Sequence, residues 1–290
     1  MADDNSGAET SSWGNWVSTL ATIAAPTTFI GALLLYFGFA YTDALYGYFG
    51  VDAATLGFST QDYALRSAGA LYVPAGTALT VALAGVLMYY AVCALGNRTA
   101  PLPSRVQVFP HVLSACGLIL FLLGMLGGFR VWRAGAMDTP LLLGGGLVLL
   151  MYGRVLSFKL VGADYPVARE RLALALVVAL VALSSFWAAH VYAKNHGFHD
   201  AEYLADHLWL RPAVTIDTTE RLYFNHQQVR ETILPAAAPN QEFRYRYDGL
   251  RLLAEANSRM FIIPQNWAVT DGSVLVLPTD RRIRVTFRPG

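Results

Sequence analysis

Four long stretches of this chain contain no Asp, Glu, Lys or Arg. They run from Thr10 to Thr42, from Ser67 to Asn97, from Val106 to Phe129 and from Leu172 to Ala193. A helix needs about 20 residues to cross the ~30 Å hydrocarbon core of a bilayer, and each stretch is longer than that. Only 14% of the 290 residues are charged and 55% are hydrophobic, which also excludes an ordinary soluble protein. The sequence therefore predicts transmembrane helices.

A fifth, shorter stretch without charge runs from Thr139 to Gly153 and ends at Arg154. Continuing it to Phe158 gives a span of sufficient length, provided that Arg154 extends its guanidinium to the membrane surface. A pore-lining or lipid-binding role for Arg154 is the alternative.

The predicted fold class is a membrane α-helical bundle of five transmembrane helices, with four as the alternative, followed by a small C-terminal antiparallel β domain. A disordered tail over 1–15 precedes a bundle over 16–194, whose spans are about 17–41, 68–95, 108–129, 139–158 and 172–194.

The basic residues of the loops indicate the orientation, because cytoplasmic loops carry more Lys and Arg. With the N-terminus inside, the inner residues are Arg98, Arg105, Arg154, Lys159, Arg169 and Arg171, and the outer ones are Arg66, Arg130 and Arg133. If Lys194 and Arg211, which follow the last span, are also counted outside, the inner side has six basic residues and the outer side five. The cluster from 154 to 171 predicts a multi-pass protein of the cell membrane with a cytoplasmic N-terminus and an extracytoplasmic C-terminal domain. If the fourth span is re-entrant, both termini lie on the same side.

Glycines are frequent in the third and fourth predicted spans. They are Gly117, Gly124 and Gly128 in the third span, and Gly144, Gly145 and Gly146 in the fourth. A glycine lets two helix backbones approach closely in lipid. We expect these residues to pack helices against each other within one chain, with contact between copies of the chain as the alternative.

The character of the sequence changes at about residue 195. The last 96 residues contain eleven Arg and eleven acidic residues, and no apolar run is long enough to span a membrane. Residues 195–211 predict a helical neck, and residues 212–290 a water-facing β-meander. We expect tight turns at Asp248-Gly249 and at Asn257-Ser258, and a third hairpin formed by SVLVL and RIRVTF.

Two polar patterns in this region suggest chemistry. His199, Glu202 and Asp206 share one face of the predicted neck helix, in a pattern that a divalent metal can use. A polar helix in water explains the same residues, so neither a metal nor a cofactor is predicted. The alternation FRYRY (243–247) is similar to nucleic-acid platforms. The equal numbers of Arg and acidic residues, however, leave this region without the net positive charge that binds phosphates, so no nucleic acid is expected as a partner.

The linker between the first two spans, YFGVDAATLGFSTQDYALRS, predicts a structured element. Asp52 is suited to cap a short helix in AATL, and Ser59 to cap the next helix, with Asp62 in its first turn. The aromatic side chains of the linker include Phe49, Phe58 and Tyr63. Such rings are typical of a membrane interface. Because the predicted topology puts the linker on the same side as the C-terminal domain, we also expect a hinge and a docking surface for that domain.

Three segments together carry a resemblance. They are YFGVDAATLGFSTQDYALRSAGALY, YRYDGLRLLAEANSRMFIIPQNW and VLVLPTDRRIRVTFRPG. They resemble a group of uncharacterised multi-pass membrane proteins of high-GC bacteria, with a linker pattern YFGVDxxxLGFSxQDY and a C-terminal β domain. The resemblance covers the linker and the last fifty or so residues, and it implies an architecture without implying an activity or catalytic residues.

The motifs of common enzymes are absent from the sequence, including GxSxG, the P-loop, HExxH and DxD. This favours a non-enzymatic membrane scaffold whose extracytoplasmic β domain binds a partner, a lipid or a wall component. The alternative is a subunit of an oligomeric channel or transport complex, and a third hypothesis is a membrane enzyme that uses the neck from His199 to His207. The expected partners are membrane lipid and either a second copy of the chain or another membrane or wall component.

Overall fold

The structure, a computed structural model, describes residues 28, 30–96, 104–129, 131, 135–160, 171–224, 229–235, 241–270 and 272–289. The chain divides into two compact units. The sheet unit comprises the described residues up to Ala70 together with those from Lys194 onward, and the helical unit comprises those from Leu71 to Ala193. The predicted tail 1–15 and the start of the predicted span 17–41 lie outside the described residues.

Helices dominate the first two thirds of the described chain. They are α1 (30–48), α2 (Ala53–Leu56), α3 (Thr60–Gly96), α4 (Ser104–Gly128), α5 (Asp138–Leu160) and α6 (Arg171–Asp206). Within the described residues, four segments are long and apolar enough to cross a membrane: Leu71–Val92, Val108–Gly128, Asp138–Leu160 and Arg171–Asp206. The predicted fold class, a helical membrane bundle with a small β domain, is confirmed. Residues 195–206 of the predicted neck form the last part of α6.

Helices α4 and α5 approach each other most closely at glycines. A Cβ built on Gly146 would lie 2.5 Å from the backbone nitrogen of Phe121 and 2.8 Å from the carbonyl oxygen of Gly117. A Cβ on Gly124 would lie 2.8 Å from the backbone nitrogen of Leu143. Because backbone atoms cannot move aside as a side chain can, these positions accept only glycine at this helix separation.

Gly117 is confined in the same way, since a Cβ there would lie 2.7 Å from the carbonyl oxygen of Gly146, whereas the remaining predicted glycines are less confined. A Cβ on Gly144 would meet Ser184 of α6 at 3.1 Å, and one on Gly128 would meet Thr139 only at 3.9 Å. A Cβ on Gly145 would find nothing within 4 Å. The glycines of the fourth span therefore differ sharply in what surrounds them, although they are neighbours in sequence.

An antiparallel sheet forms the C-terminal part of the sheet unit. Its strands are β1 (Ala213–Thr218), β2 (Arg230–Ile233), β3 (Tyr245–Ala256), β4 (Arg259–Pro264), β5 (Leu275–Pro278) and β6 (Ile283–Arg288). The order is β5-β4-β3-β1-β6, and β2 also pairs with β3. The expected meander order therefore holds from β2 to β5, each of which pairs with the next strand in sequence, but not for β1, which lies between β3 and β6.

The predicted tight turn at Asp248 and Gly249 is wrong. β3 continues through both residues, and its pairing with β1 shifts register between Val214 and Ile216. Gly249 has a φ of 88°, a conformation that glycine adopts in β-bulges as well as in hairpin turns. The Asp-Gly pair alone therefore does not distinguish the two. The Thr215 hydroxyl of β1 donates a hydrogen bond of 2.6 Å to Oδ1 of Asp248, so the irregular segment is held against the sheet.

The second predicted turn is confirmed, and the third hairpin is wrong. Asn257 and Ser258 join β3 to β4 with φ values of 48° and 55°, which are the two positive values that a type I′ turn requires. β5, however, pairs with β4, and β6 pairs with β1. Alternating apolar residues predict that a segment is a strand, but they do not identify the strand beside which it lies.

One face of the sheet carries an apolar cluster, and the opposite face is polar along β1 and β6. The apolar cluster, which we call the sheet core, comprises Val214, Ile216, Tyr247, Leu250, Met260, Ile262 and Leu277. Tyr247 is fully buried, and Phe224 packs on it with ring centroids 5.2 Å apart. Arg246, its neighbour in FRYRY, lies on the opposite face and contacts Asp217. The alternation of aromatic and basic residues in this segment is therefore that of a half-buried strand.

Candidate functional site

The linker packs against the sheet inside the sheet unit. We call this cluster the junction core; it consists of Leu45, Tyr46, Phe49, Val51, Leu56, Ala201, Leu208, Leu253, Ala254, Phe261, Ile263 and Trp267. Phe49 is 3% exposed, and its ring centroid lies 4.8 Å from that of Trp267. The linker, the end of α6 and two central strands thus share one apolar core, so the linker is an integral part of the folded β region.

Local sequence explains how α2 enters the junction core. Oδ1 of Asp52 accepts a hydrogen bond of 2.8 Å from the backbone nitrogen of Ala54, which confirms the predicted cap of AATL. Gly57 ends α2 in the left-handed conformation with a φ of 67°. A Cβ built on Gly57 would lie 3.1 Å from the Cβ of Asn257, so α2 ends directly against the turn between β3 and β4.

A capping box begins α3, as the sequence predicts. The backbone nitrogen and the hydroxyl of Ser59 donate to Oδ2 of Asp62 at 2.9 and 2.7 Å, and the Ser59 hydroxyl accepts from the Asp62 nitrogen at 3.2 Å. The hydrogen bond from the Ser59 hydroxyl holds the pKa of Asp62 below its ordinary value. The Tyr63 hydroxyl donates to the carbonyl oxygen of Ala53 at 3.2 Å, which ties α3 back to α2.

Phe58 of the linker and Tyr46 of α1 lie close to one cation. The guanidinium of Arg66 lies 4.3 Å from the ring centroid of Phe58 and 5.6 Å from that of Tyr46. Phe58 also packs on Tyr63, with ring centroids 6.0 Å apart. These contacts are favourable cation–π and aromatic interactions, so the one basic residue of the linker is engaged with its rings.

The neck residues do not converge on a metal site in the part of the chain that the structure describes, where no group of three His, Cys, Asp or Glu side chains is placed to hold an ion. Nδ1 of His199 lies 3.4 Å from Oε2 of Glu202. Asp200, by contrast, accepts a hydrogen bond of 2.7 Å from the Tyr41 hydroxyl and lies 3.7 Å from Nε2 of His196. Asp206 lies apart, beside a polar pocket at the end of α6.

A buried carboxylate on the polar face connects three strands. Asp217 of β1 lies directly opposite Arg246 of β3 and Arg284 of β6. Nε and Nη2 of Arg246 donate to its two oxygens at 2.8 and 3.0 Å, and Nε of Arg284 donates to Oδ2 at 3.1 Å. The Asp217 side chain is 2% exposed, whereas both guanidiniums reach solvent. The hydrogen bond from Arg246, more than offsetting the effect of burial and supported by Arg284, lowers the pKa of Asp217.

We expect Asp217→Asn to lower the free energy of unfolding by about 1.5–3 kcal/mol near neutral pH, because a charged acceptor is lost from two arginines. The pKa of Asp217 is lower in the folded protein than in the unfolded chain, where it is about 3.9. The ionised carboxylate therefore stabilises the fold fully above that pH, and the contribution disappears as the pH falls through the folded-state pKa. Chemical unfolding in detergent across this acidic range measures it.

The matched control for this prediction is Glu220→Gln, which removes an exposed acidic side chain just beyond the end of β1. It is expected to change stability little. The gap between the native protein and Asp217→Asn should narrow on acidification. A gap that stays constant as Asp217 becomes protonated would contradict the role assigned to its charge.

The helical unit contains an apolar groove of about 880 Å³ between α3, α5 and α6. Val148, Val155 and Val178 are among its lining residues, and Lys159 lies near one end of α5. The Tyr152 hydroxyl on α5 donates to the carbonyl oxygen of Gly85 on α3 at 2.7 Å. The lining suits hydrocarbon better than a polar substrate. Arg154 is exposed on α5 within the last two turns of that helix.

Sequence reasoning missed two residues that organise the sheet unit. Trp267 follows β4 and contacts Phe49 and Tyr48, but nothing in its local sequence indicates a partner in the linker. Asp217 was not recognised as the partner of Arg246 and Arg284, because the three residues meet only through strand pairing. The segment AVTID does indicate that Asp217 needs a partner, because an acidic residue inside an apolar strand is costly to bury without one.

No protein-family model, curated protein or solved structure matches this chain.

Proposed function

We propose that this chain is a non-enzymatic membrane scaffold, with a multi-pass helical bundle and an extracytoplasmic β domain that binds a partner, a lipid or a wall component. The observation that carries the proposal is the junction core. A β domain that was only tethered to the helices would form its core from its own residues. Here Phe49 and Leu56 of the linker are buried together with Phe261 and Ile263 of the sheet. A domain whose core includes the linker is suited to present a stable binding surface.

The charges of the described residues support a binding role over a catalytic one. Asp217 is enclosed by two arginines, Asp62 serves as a helix cap, and Asp200 is engaged by Tyr41 and His196. Acidic side chains that are used in this way stabilise the fold and are not positioned as acid and base around a reacting group. We therefore assign no catalytic residues, and membrane lipid is the partner proposed for the apolar groove of the helical unit.

Reporters fused to the two ends test the orientation on which the proposal depends. Alkaline phosphatase, which is active only outside the cytoplasm, should be active at the C-terminus and inactive at the N-terminus, while a fluorescent protein should show the reverse. The expected reason is the excess of basic residues in the loops that we place inside. Reporters that are active on the same face at both ends would contradict five spans and an extracytoplasmic β domain.

Liposomes separate the scaffold from the channel alternative. Purified protein reconstituted at a known orientation should leave the permeability to ions and small solutes unchanged. Flux that depends on the amount of protein would favour the oligomeric channel, and would be accompanied by a particle larger than one chain in detergent.

A further inference from the structure

The sheet unit contains a polar pocket of about 450 Å³ between the end of α6, β3 and the segment that follows β4. Its polar and aromatic lining consists of Asp206, Trp209, Arg251, Gln265, Asn266 and Trp267. This volume lies within the range of small-molecule sites, about 300–1,000 Å³, and its lining differs from the apolar surface of the groove in the helical unit.

The charges around the pocket balance each other. Asp206 contributes one carboxylate and Arg251 one guanidinium. Nη1 of Arg251 donates to the carbonyl oxygens of Arg211 at 2.7 Å and Trp209 at 3.4 Å, so this cation is partly engaged by main-chain acceptors. Gln265 and Asn266 are exposed and add amide groups that both donate and accept. This balance favours a neutral ligand with many hydrogen-bonding groups over an anion or a cation.

One lining residue, Trp267, is 7% exposed, and its indole Nε1 makes no hydrogen bond among the described residues. That nitrogen is itself buried and lies against Gly272, since a Cβ built on Gly272 would meet it. The lining groups that a ligand can reach are therefore the exposed ones of Asp206, Gln265 and Asn266, whose oxygens accept and whose amides donate hydrogen bonds.

An aromatic surface lies at the rim of the pocket. Trp209 is 58% exposed, and its ring centroid lies 6.2 Å from that of His207. His207 in turn stacks on Tyr203 with centroids 4.2 Å apart and the two rings nearly parallel. Trp209 is the ring of this group that lines the pocket, and its exposed face offers flat apolar surface to a ligand that also needs hydrogen bonds.

We propose that this pocket binds a saccharide. A sugar ring has an apolar C–H face, which packs on Trp209, and hydroxyl groups, which bond to Asp206, Gln265 and Asn266. The ring and carbonyl oxygens of an amide-bearing sugar accept hydrogen bonds from the amides of Gln265 and Asn266. The inference rests on the proposed function, in which the β domain binds a wall component, and names the chemical class of that component.

Calorimetric titration of the purified full-length protein tests the proposal, in a zwitterionic detergent without a sugar headgroup. The probes are the trimer of N-acetylglucosamine, cellotriose and maltotriose. We expect saturable binding of at least one trisaccharide and a loss of about tenfold in affinity for Trp209→Ala, the scale of one good contact. Trp209→Phe, which keeps a flat ring, should restore most of the affinity, and Asp206→Asn should weaken binding by a similar factor.

Matched controls distinguish the pocket from the rest of the surface. Tyr223→Ala and Glu220→Gln alter an exposed aromatic and an exposed acidic residue that do not line the pocket, and both should bind as the native protein does. Absence of saturable binding for all three sugars, or equal affinities for Trp209→Ala and Tyr223→Ala, would overturn the site. Competition by inorganic phosphate or glutamate would overturn the assignment to a neutral ligand.

The outcome is independent of the reporter experiment, because titration of purified protein does not depend on membrane orientation. A negative titration with the expected reporter pattern rejects the saccharide site alone. Binding together with a reversed orientation keeps the site and rejects the extracytoplasmic placement of the scaffold.

Discussion

Replacing Phe49 with alanine is expected to lower the free energy of unfolding by about 3–5 kcal/mol, the range for large aromatic truncations in a packed core. Phe49 is almost completely buried and lies between two aromatic partners, Trp267 at 4.8 Å and Tyr48 at 5.5 Å between ring centroids. The rings come from the linker and from the segment after β4, so alanine would leave a cavity where these two parts of the chain meet. The linker should therefore detach from the sheet at lower denaturant concentration.

Tryptophan fluorescence during chemical unfolding in detergent measures this effect, because Trp267 is in direct contact with the substituted side chain. Phe287→Ala is the matched control, since it removes the same group from a half-exposed position on β6 and should cost much less. Similar losses for the two variants would contradict the junction core.

A disulfide offers a second test of the same contact. The Cβ of Asn257 lies 3.1 Å from a Cβ built on Gly57, which is slightly shorter than the usual separation of about 3.8 Å in disulfides. With Cys93 and Cys116 replaced, the pair Gly57→Cys and Asn257→Cys should form a bond on oxidation, seen as a mobility shift on a non-reducing gel. Both positions have a positive φ that strains cysteine, so the test is the cross-link itself and not a gain in stability. A pair of Gly57→Cys with Tyr245→Cys, at the other end of β3, should not form one.

The helices and caps could be predicted because their causes are local. A run without charged side chains is sufficient to predict a membrane span, and the four segments found in the described chain overlap predicted ones. Asp52 and Ser59 act on backbone groups two or three residues away, so their roles can be inferred from adjacent letters of the sequence. The predicted spans 108–129 and 139–158 agree closely with α4 and α5, whereas α1 continues to residue 48, beyond the predicted end at 41.

The strand partners and the junction core could not be predicted in this way, because their causes are distant in sequence. Asp217 and Arg284 are 67 positions apart and meet only when β6 pairs with β1 instead of β5. Phe49 looks like an interfacial aromatic when it is considered alone, and only its packing in the junction core, with Trp267 among its partners, explains its burial.

Replacing Gly146 with leucine is expected to destabilise the helical unit by more than about 3 kcal/mol, beyond the usual cost of overpacking. A Cβ alone would lie 2.5 Å from the nitrogen of Phe121 and 2.8 Å from the oxygen of Gly117, both of which are backbone atoms of α4. The clash cannot be relieved by a change of rotamer, so α4 and α5 must separate along their contact. Separation would also break the approach at Gly124, where a Cβ would lie 2.8 Å from the nitrogen of Leu143.

Gly145→Leu is an unusually close control, since it makes the same substitution at the adjacent position, where a Cβ would find nothing within 4 Å. Helix propensity and hydrophobicity change equally in both variants, so a difference in thermal stability in detergent isolates the contact between α4 and α5. If Gly145→Leu proved the more damaging, its open face would be the surface that another chain covers. Equal tolerance of both variants would show that the two helices do not approach as closely as the glycine contacts require.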